Sequence, residues 1–444
     1  MKENKRLKAF YIAASVLFCA WMSGCSGSNV ASKVSFTAES FSKPDTVTEL
    51  TLTLEEGETE LLSAFTALQS ADFSGSGCVE EIFAWAQEHP EVDVKYTVAL
   101  PDGSTVDNAC KAVDLSAVSG SDAAAAADVL RYLPKLRTIE LGSERSGLDL
   151  DAVASIHAAC PEAKIKYDFT LYGKQFEFNN MRINLSHIPV GDGGAALMKA
   201  MDCMPELCYV DMDSCGVPNE EMAAIRDRYP DIKVVWRIWF GDNYSVRTEA
   251  ERILASKPSA GGMLTADNTQ DLKYCTDVRF LDVGHNEALS DISFVASMPK
   301  LEVAVFAMTC ITDLSPLRNC PELEYLELQT SPVSDLTPLA GLVKLHHLNV
   351  CMTEVNDISP LYGMKELERL WLGGYVHIPQ EQLDTMHAAA PACEINTTAG
   401  DPTEGHWRYE NYEDGIYNFR YTMLRLQFGY ENEDFSLSWN DPLY

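Results

Sequence analysis

The sequence predicts an α/β solenoid in which stacked coils each add one short strand to a single parallel sheet. Four aspartates, Asp291, Asp313, Asp335 and Asp357, recur every 22 residues and open the same phrase: DISFV, DLSPL, DLTPL and DISPL. Ahead of each phrase lies an apolar frame: Val278-Leu281-Val283, Leu301-Ala304-Phe306, Leu323-Leu326-Leu328 and Leu345-Leu348-Val350, with Leu367-Leu370-Leu372 closing the run. Upstream, Leu68, Leu136, Leu207 and Val278 begin equivalent frames at spacings of 68, 71 and 71 residues. Side chains alternate along a strand, so the paired apolar residues of each frame point one way and are buried only when coils stack. An ordinary α/β domain of alternating strands and helices is the competing fold, and the shared register of the frames argues against it.

The chain opens with a processing signal over residues 1–24. Basic MKENKRLK leads into the apolar AFYIAASVLFCAWM, then Ser23-Gly24-Cys25 and a polar linker to residue 45. Fourteen apolar-rich residues are short for a membrane span. The segment resembles a bacterial lipoprotein signal with MSGC as its lipobox. The resemblance implies that Cys25 becomes the lipidated N-terminus and that the body is extracytoplasmic, anchored to the bacterial cell membrane. An ordinary or uncleaved signal peptide is the other reading, and it also places the body outside the cytoplasm.

Residues 46–277 are expected to form longer units of about 70 residues, each made of two helix-bearing repeats, the second strand and helix beginning at VDLS (Val113) or INLS (Ile183), plus a hairpin. The helices VEEIFAWAQEHP, LDAVASIHAACP and NEEMAAIRDRYP carry apolar residues at helical spacing and stop at Pro90, Pro161 and Pro230. Each hairpin follows its helix, as in IKYDFTLYGKQFEF.

Residues 278–375 hold the 22-residue coils. Ser315, Thr337 and Ser359 are expected to cap the turn behind each strand, with Pro316, Pro338 and Pro360 at the first helical position. The period and frame match the leucine-rich repeat. LEYLELQTSPVSDLTPL and LHHLNVCMTEVNDISPL resemble the internalin-type consensus, which implies a surface-exposed recognition or adhesion protein. The frame keeps Asn286 in its first coil but has Thr309, Ser331 and Thr353 afterwards, so short hydroxyls must satisfy the coil edge there. Residues 376–444 are expected to close the solenoid. They comprise a helix in IPQEQLDTMHAAAP, a strand in CEINTT, and a tail from Trp407 with eleven aromatics in thirty-eight residues. Capping is the first reading of that tail and a sugar-stacking platform the second.

A formal charge of −32 disfavours nucleic-acid and anionic-membrane binding by the folded part. No nucleophile elbow, metalloprotease helix or phosphate loop is present, so no catalytic residue and no cofactor is assigned. His346 and His347 point to opposite sides of a strand. The loop from Asp211 to Gly216 starts like a calcium loop but has Cys215 and Met222 at ligand positions, so Asp211 and Asp213 are read as exposed strand residues and no metal is assigned. No paired zinc-type cysteine spacing occurs, although Cys203, Cys208 and Cys215 allow one disulfide.

The candidate ligand-binding residues are those of the expected concave face. One lane is Phe280, Val303, Tyr325, His347 and Arg369; the next is Asp282, Val305, Glu327, Asn349 and Trp371. Tyr325, His347, Arg369 and Trp371 have the aromatic and arginine composition of binding hot spots, unless the C-terminal segment folds over them. The expected protein is a monomeric, non-catalytic, lipid-anchored binder of a protein or glycan ligand. A surface carbohydrate-active or other hydrolytic enzyme with a repeat scaffold and a passive envelope spacer are the alternatives.

Overall fold

The structure is a computed structural model that describes residues 33–144, 147–256, 263–399 and 407–428. The signal segment and Cys25 lie outside the described residues. The chain divides into two compact units, Met1–Met181 with Ala196–Leu207, and Arg182–Ala195 with Cys208–Tyr444, so the division falls inside the long-repeat region.

In the first unit, Glu49–Thr51, Ser70–Asp72 and Asp93–Lys95 form a parallel sheet in chain order. A second sheet holds Ala112–Asp114, Thr138–Ser143 and Lys164–Leu171 in parallel, with Lys174–Glu177 antiparallel at its edge. Helices α1 (Val79–Glu88), α2 (Ala123–Leu130), α3 (Leu150–Ala159) and α4 (Ala195–Cys203) alternate with the strands. The expected helices α1 and α3 end at Glu88 and Ala159, two residues before Pro90 and Pro161, because proline disfavours helical backbone in the residue before it. Asp149 caps α3 by accepting from the Ala152 amide at 2.9 Å. One hairpin per repeat follows as expected: Thr97–Ala99 with Thr105–Asp107, and Lys164–Leu171 with Lys174–Glu177.

The second unit opens with Arg182–Asn184, Tyr209–Asp211 and Lys233–Val235, again parallel, beside α5 (Asn219–Arg228) and the hairpin Arg237–Phe240/Tyr244–Arg247. It continues as one seven-stranded parallel sheet in strict chain order. The strands are Arg252–Leu254, Phe280–Asp282, Val303–Val305, Tyr325–Glu327, His347–Asn349, Arg369–Trp371 and Glu394–Asn396. Leu281, Ala304, Leu326, Leu348, Leu370 and Ile395 stand in one register column, and the first five are fully buried. This column is the leucine-rich-repeat solenoid core that the frames predict. Two strands lie beyond those frames, Arg252–Leu254 before and Glu394–Asn396 after, the latter following α6 (Gln380–Ala389).

Behind each strand the chain makes a short 3-10 turn, and here the capping expectation is corrected. Ser315, Thr337 and Ser359 are the first turn residues, not caps. The bond is made by the repeating aspartate one residue ahead of the cap position: Asp291, Asp313, Asp335 and Asp357 accept from the amides of Ser293, Ser315, Thr337 and Ser359 at 2.7–2.9 Å. The Ser315 hydroxyl and amide hold the Asp313 carboxyl below its usual range. Asp313→Ala is expected to lower stability by about 1 kcal/mol in urea unfolding, whereas Asp313→Asn, which keeps an acceptor, costs a few tenths.

The coil edge is satisfied as the sequence implies. Asn286 is fully buried; its Nδ2 donates to the carbonyls of Ala255, Val283 and Gly284 and its Oδ1 accepts from the Leu264 amide, at 2.8–3.1 Å. In later coils Thr309 and Ser331 both donate to the Phe306 carbonyl and Thr353 donates to that of Val350. One residue ahead of this position the backbone turns with positive φ at His285, Met308, Thr330 and Met352, a recurring left-handed turn that only glycine adopts without cost.

The candidate binding face and what covers it

The two predicted lanes exist and are in register: Phe280, Val303, Tyr325, His347 and Arg369 side by side, and Asp282, Val305, Glu327, Asn349 and Trp371 beside them. They are not open. Every residue of both lanes is buried except Arg369, whose side chain is 11% exposed. The expectation of a free contact patch is therefore corrected: residues 407–428 fold back over the outer face of the sheet. The segment supplies a small hairpin, Tyr409–Asn411 with Ile416–Tyr417, and helix α7 (Phe419–Phe428).

Trp407 is the centre of the contact and is itself 1% exposed. Its ring lies 5.6 Å from Tyr325, 5.6 Å from His347 and 5.2 Å from Trp371, centroid to centroid and tilted in each case. From α7, Tyr421, Leu424 and Phe428 join the same apolar cluster as Phe280, Val303, Val305, Ala307 and Cys351, and Phe428 meets Phe280 edge-on. The cluster explains why aliphatic residues occupy lane positions that a solvated sheet would fill with polar ones. The outer side of the segment exposes Phe419, Met423 and Leu426 along α7, with Tyr412 and Ile416 before it.

Glu327 sits under Trp407 and is almost fully buried. Tyr325 donates to its Oε1, Gln329 donates to its Oε2 at 2.7 Å, and the Trp407 indole N–H donates to Oε1 at 2.9 Å. Arg408 adds a charge contact at 3.9 Å. A buried carboxylate is tolerated only when its lone pairs are met in this way. Burial and the neighbouring Glu327 charge push the Tyr325 hydroxyl far above its usual range, so it stays a donor. Arg369 donates to the carbonyls of Trp407 and Tyr409 at 3.3 and 3.0 Å, and Arg420 of α7 reaches Glu324 at 2.8 Å and Glu368 at 3.1 Å.

His347 is a second titratable group that this closure perturbs. Burial first, then the Arg369 and Arg420 charges, push its pKa down to about 3, with Glu368 at 3.3 Å opposing. It faces Glu368 and Arg369 from the next strand, Arg420 from α7, and the rings of Tyr325 and Trp407. Its value when covered is below its value in water, so closure favours the neutral ring. That contribution is complete above about pH 6.5 and is lost as pH falls through the interval toward 3, by ~2 kcal/mol at pH 5. Urea midpoints for this unit are expected to fall between pH 7 and 5, and the slope to flatten in His347→Gln.

Elsewhere the structure decides the smaller questions. Asp211 and Asp213 are not exposed strand residues: Asp213 is buried, Arg247 reaches Asp211 at 3.0 Å and Asp213 at 3.5 Å, and Arg237 reaches Asp213 at 3.2 Å. The carboxylates read as a failed calcium loop thus serve an arginine network. Among the described residues no group of three or more His, Cys, Asp or Glu is arranged to hold a metal ion. Among the described residues, Cys203, Cys208 and Cys215 are not joined in a disulfide. In the first unit a polar cavity of about 280 Å³ is lined by His157, Glu162, Lys164, Glu177, Asn179 and Glu206, none of which the sequence reading singled out.

No family model and no curated protein matches the sequence. Among solved structures, similar chains include an internalin from Listeria monocytogenes (16% identity, 81% of this chain and 85% of that one, TM-score 0.30). Others are internalin C2 from the same organism (17%, 52% and 88%, TM-score 0.29) and a leucine-rich-repeat protein of Leptospira interrogans (14%, 80% and 96%, TM-score 0.29). At these scores the likenesses carry no argument, and the solenoid rests on the register and burial described above.

Proposed function

We propose that this chain is a non-catalytic leucine-rich-repeat scaffold for protein recognition, anchored outside the cytoplasm through lipid on Cys25, whose binding surface is the outer face of the seven-stranded sheet. One observation supports the reading above the others. The face carries Tyr325, Glu327, His347, Arg369 and Trp371 in a convergent array, and this array already holds a peptide segment through stacking, an indole hydrogen bond and arginine-to-carbonyl bonds. A surface that grips its own chain in this manner has the chemistry to grip another.

The passive-spacer reading has one observation in its favour, since the aromatics of the face are covered. Against it, the lanes are not bland: a spacer gains nothing from a buried carboxylate and a buried imidazole at the centre of its cap.

The test has two arms. Fatty-acid incorporation in cells is expected for the native chain and lost in Cys25→Ser; a native chain without lipid overturns the anchor. The fragment from Ser26 onward, cross-linked at the cell surface, is expected to join a defined protein partner. Binding only to glycans moves the reading to carbohydrate recognition, and absence of any partner leaves the spacer.

A further inference from the structure

Resting on that reading, the geometry points to a specific ligand class: a protein segment presenting a tryptophan followed by an arginine, with a further arginine on an adjoining helix, for which residues 407–428 are a resident competitor. Three observations carry it.

The first is that the receiving site is built from the sheet side. Tyr325 and Gln329 fix the two oxygens of Glu327 from within the sheet, and Tyr325, His347 and Trp371 form an aromatic box around the place where the indole lies. To this box the occupant brings an indole N–H and the Arg408 charge. A cap whose sole task was coverage would need neither, because apolar packing alone stabilises such a face at lower desolvation cost.

The second is charge complementarity. In a chain of net charge −32, the segment places Arg420 on Glu324 and Glu368 and Arg408 toward Glu327, while Arg369 of the sheet reads main-chain carbonyls, which any peptide supplies. Recognition is thus divided between sequence-independent backbone bonds and acidic positions that select arginine.

The third is that the resident fits imperfectly. Among the described residues, Gln329 Oε1 and His347 Nδ1 are buried on this face with no hydrogen-bond partner. A segment with two more donors at these positions satisfies acceptors that the resident leaves stranded, and so binds better than the resident does.

The experiment uses the chain from Ser26 to Tyr444 with a protease site placed within residues 400–406, and a labelled synthetic peptide of residues 407–428 as the probe. The tethered copy competes at an effective concentration on the order of millimolar. The intact chain is therefore expected to bind the probe at least a hundredfold more weakly than the cleaved chain. In the cleaved chain, probes carrying W407A or R408A are expected to lose more than tenfold in affinity. An unrelated peptide that keeps only the Trp-Arg pair and the helical arginine at the same spacing is expected to compete. Because these variants are in the peptide, the fold of the chain is untouched; Glu327→Gln in the chain is the reciprocal change and should reproduce the W407A loss. A cleaved segment that never exchanges overturns the inference, as does equal binding of the W407A probe. A surface partner captured by the Ser26 fragment while exchange fails would remove this inference and leave the scaffold reading standing. Exchange without any surface partner would show a site that only the chain's own segment uses, and would overturn this inference together with the scaffold reading it rests on.

Discussion

Trp407→Ala is expected to lower the stability of the closed second unit by about 3–5 kcal/mol, the range for truncating a fully buried tryptophan. The side chain is 1% exposed and packs against three rings, so alanine leaves a void bounded by Tyr325, His347 and Trp371 that the sheet cannot collapse into. The loss has a polar part as well. Glu327 Oε1 keeps its bond from Tyr325 but forfeits the indole donor while remaining beneath the segment. The signature is specific: hydrogen exchange should accelerate across residues 407–428 and at the outer-face strands, while the first unit keeps its protection. Trp407→Phe is expected to recover most of the packing without the indole bond and to fall between the two. Uniform destabilisation of both units would contradict this account.

Asn286→Ala is expected to cost about 3 kcal/mol or more, because it strands several fully buried backbone groups at a stroke and each is worth roughly 1–3 kcal/mol. The side chain serves four backbone partners from two neighbouring coils, including Ala255 before it and Leu264. Water cannot replace it at a site with no exposure. Asn286→Ser mimics the later coils, where Ser331 reaches the Phe306 carbonyl, and is expected to recover only part of the loss because one hydroxyl cannot reach all four groups. Urea unfolding of the three proteins, read by far-ultraviolet circular dichroism, ranks them. Equal midpoints for the alanine variant and the native chain would show that the coil edge is held by something else.

The solenoid was legible because its determinants are periodic and local. Leu326, Leu348 and Leu370 recur at one spacing, alternation fixes the face they point to, and stacking then brings them into one column. The lanes followed from the same alternation, and all ten lane residues fall in the predicted positions. The cap assignment failed in detail because Asp-x-Ser and Asp-x-Thr offer two side chains that can each bond a turn amide, and only geometry shows the aspartate making that bond. The left-handed turns at Met308, Thr330 and Met352 left no sequence signal, since none of these residues favours that conformation. What covers the lanes was hardest to read, because the return of Trp407 to Tyr325 and Trp371 is non-periodic and spans most of the repeat array. A signal did exist. Val303, Val305 and Ala307 are too apolar for a solvated sheet face, and the tail from Trp407 is too aromatic for an exposed one. Each excess is the complement of the other.

The outer face of this sheet is sealed by the chain's own residues 407–428, and a native thiol reports on that seal directly. Cys351 lies fully buried in the cluster shared by the sheet and the segment, while Cys208 and Cys310 are exposed. Mass-spectrometric alkylation of the native protein at neutral pH should modify Cys208 and Cys310 rapidly and leave Cys351 unmodified, with Trp407→Ala releasing Cys351 to reagent before the unit unfolds. Modification of Cys351 in the native chain as fast as Cys310 would mean that the face stands open, and the account of its covering would be wrong.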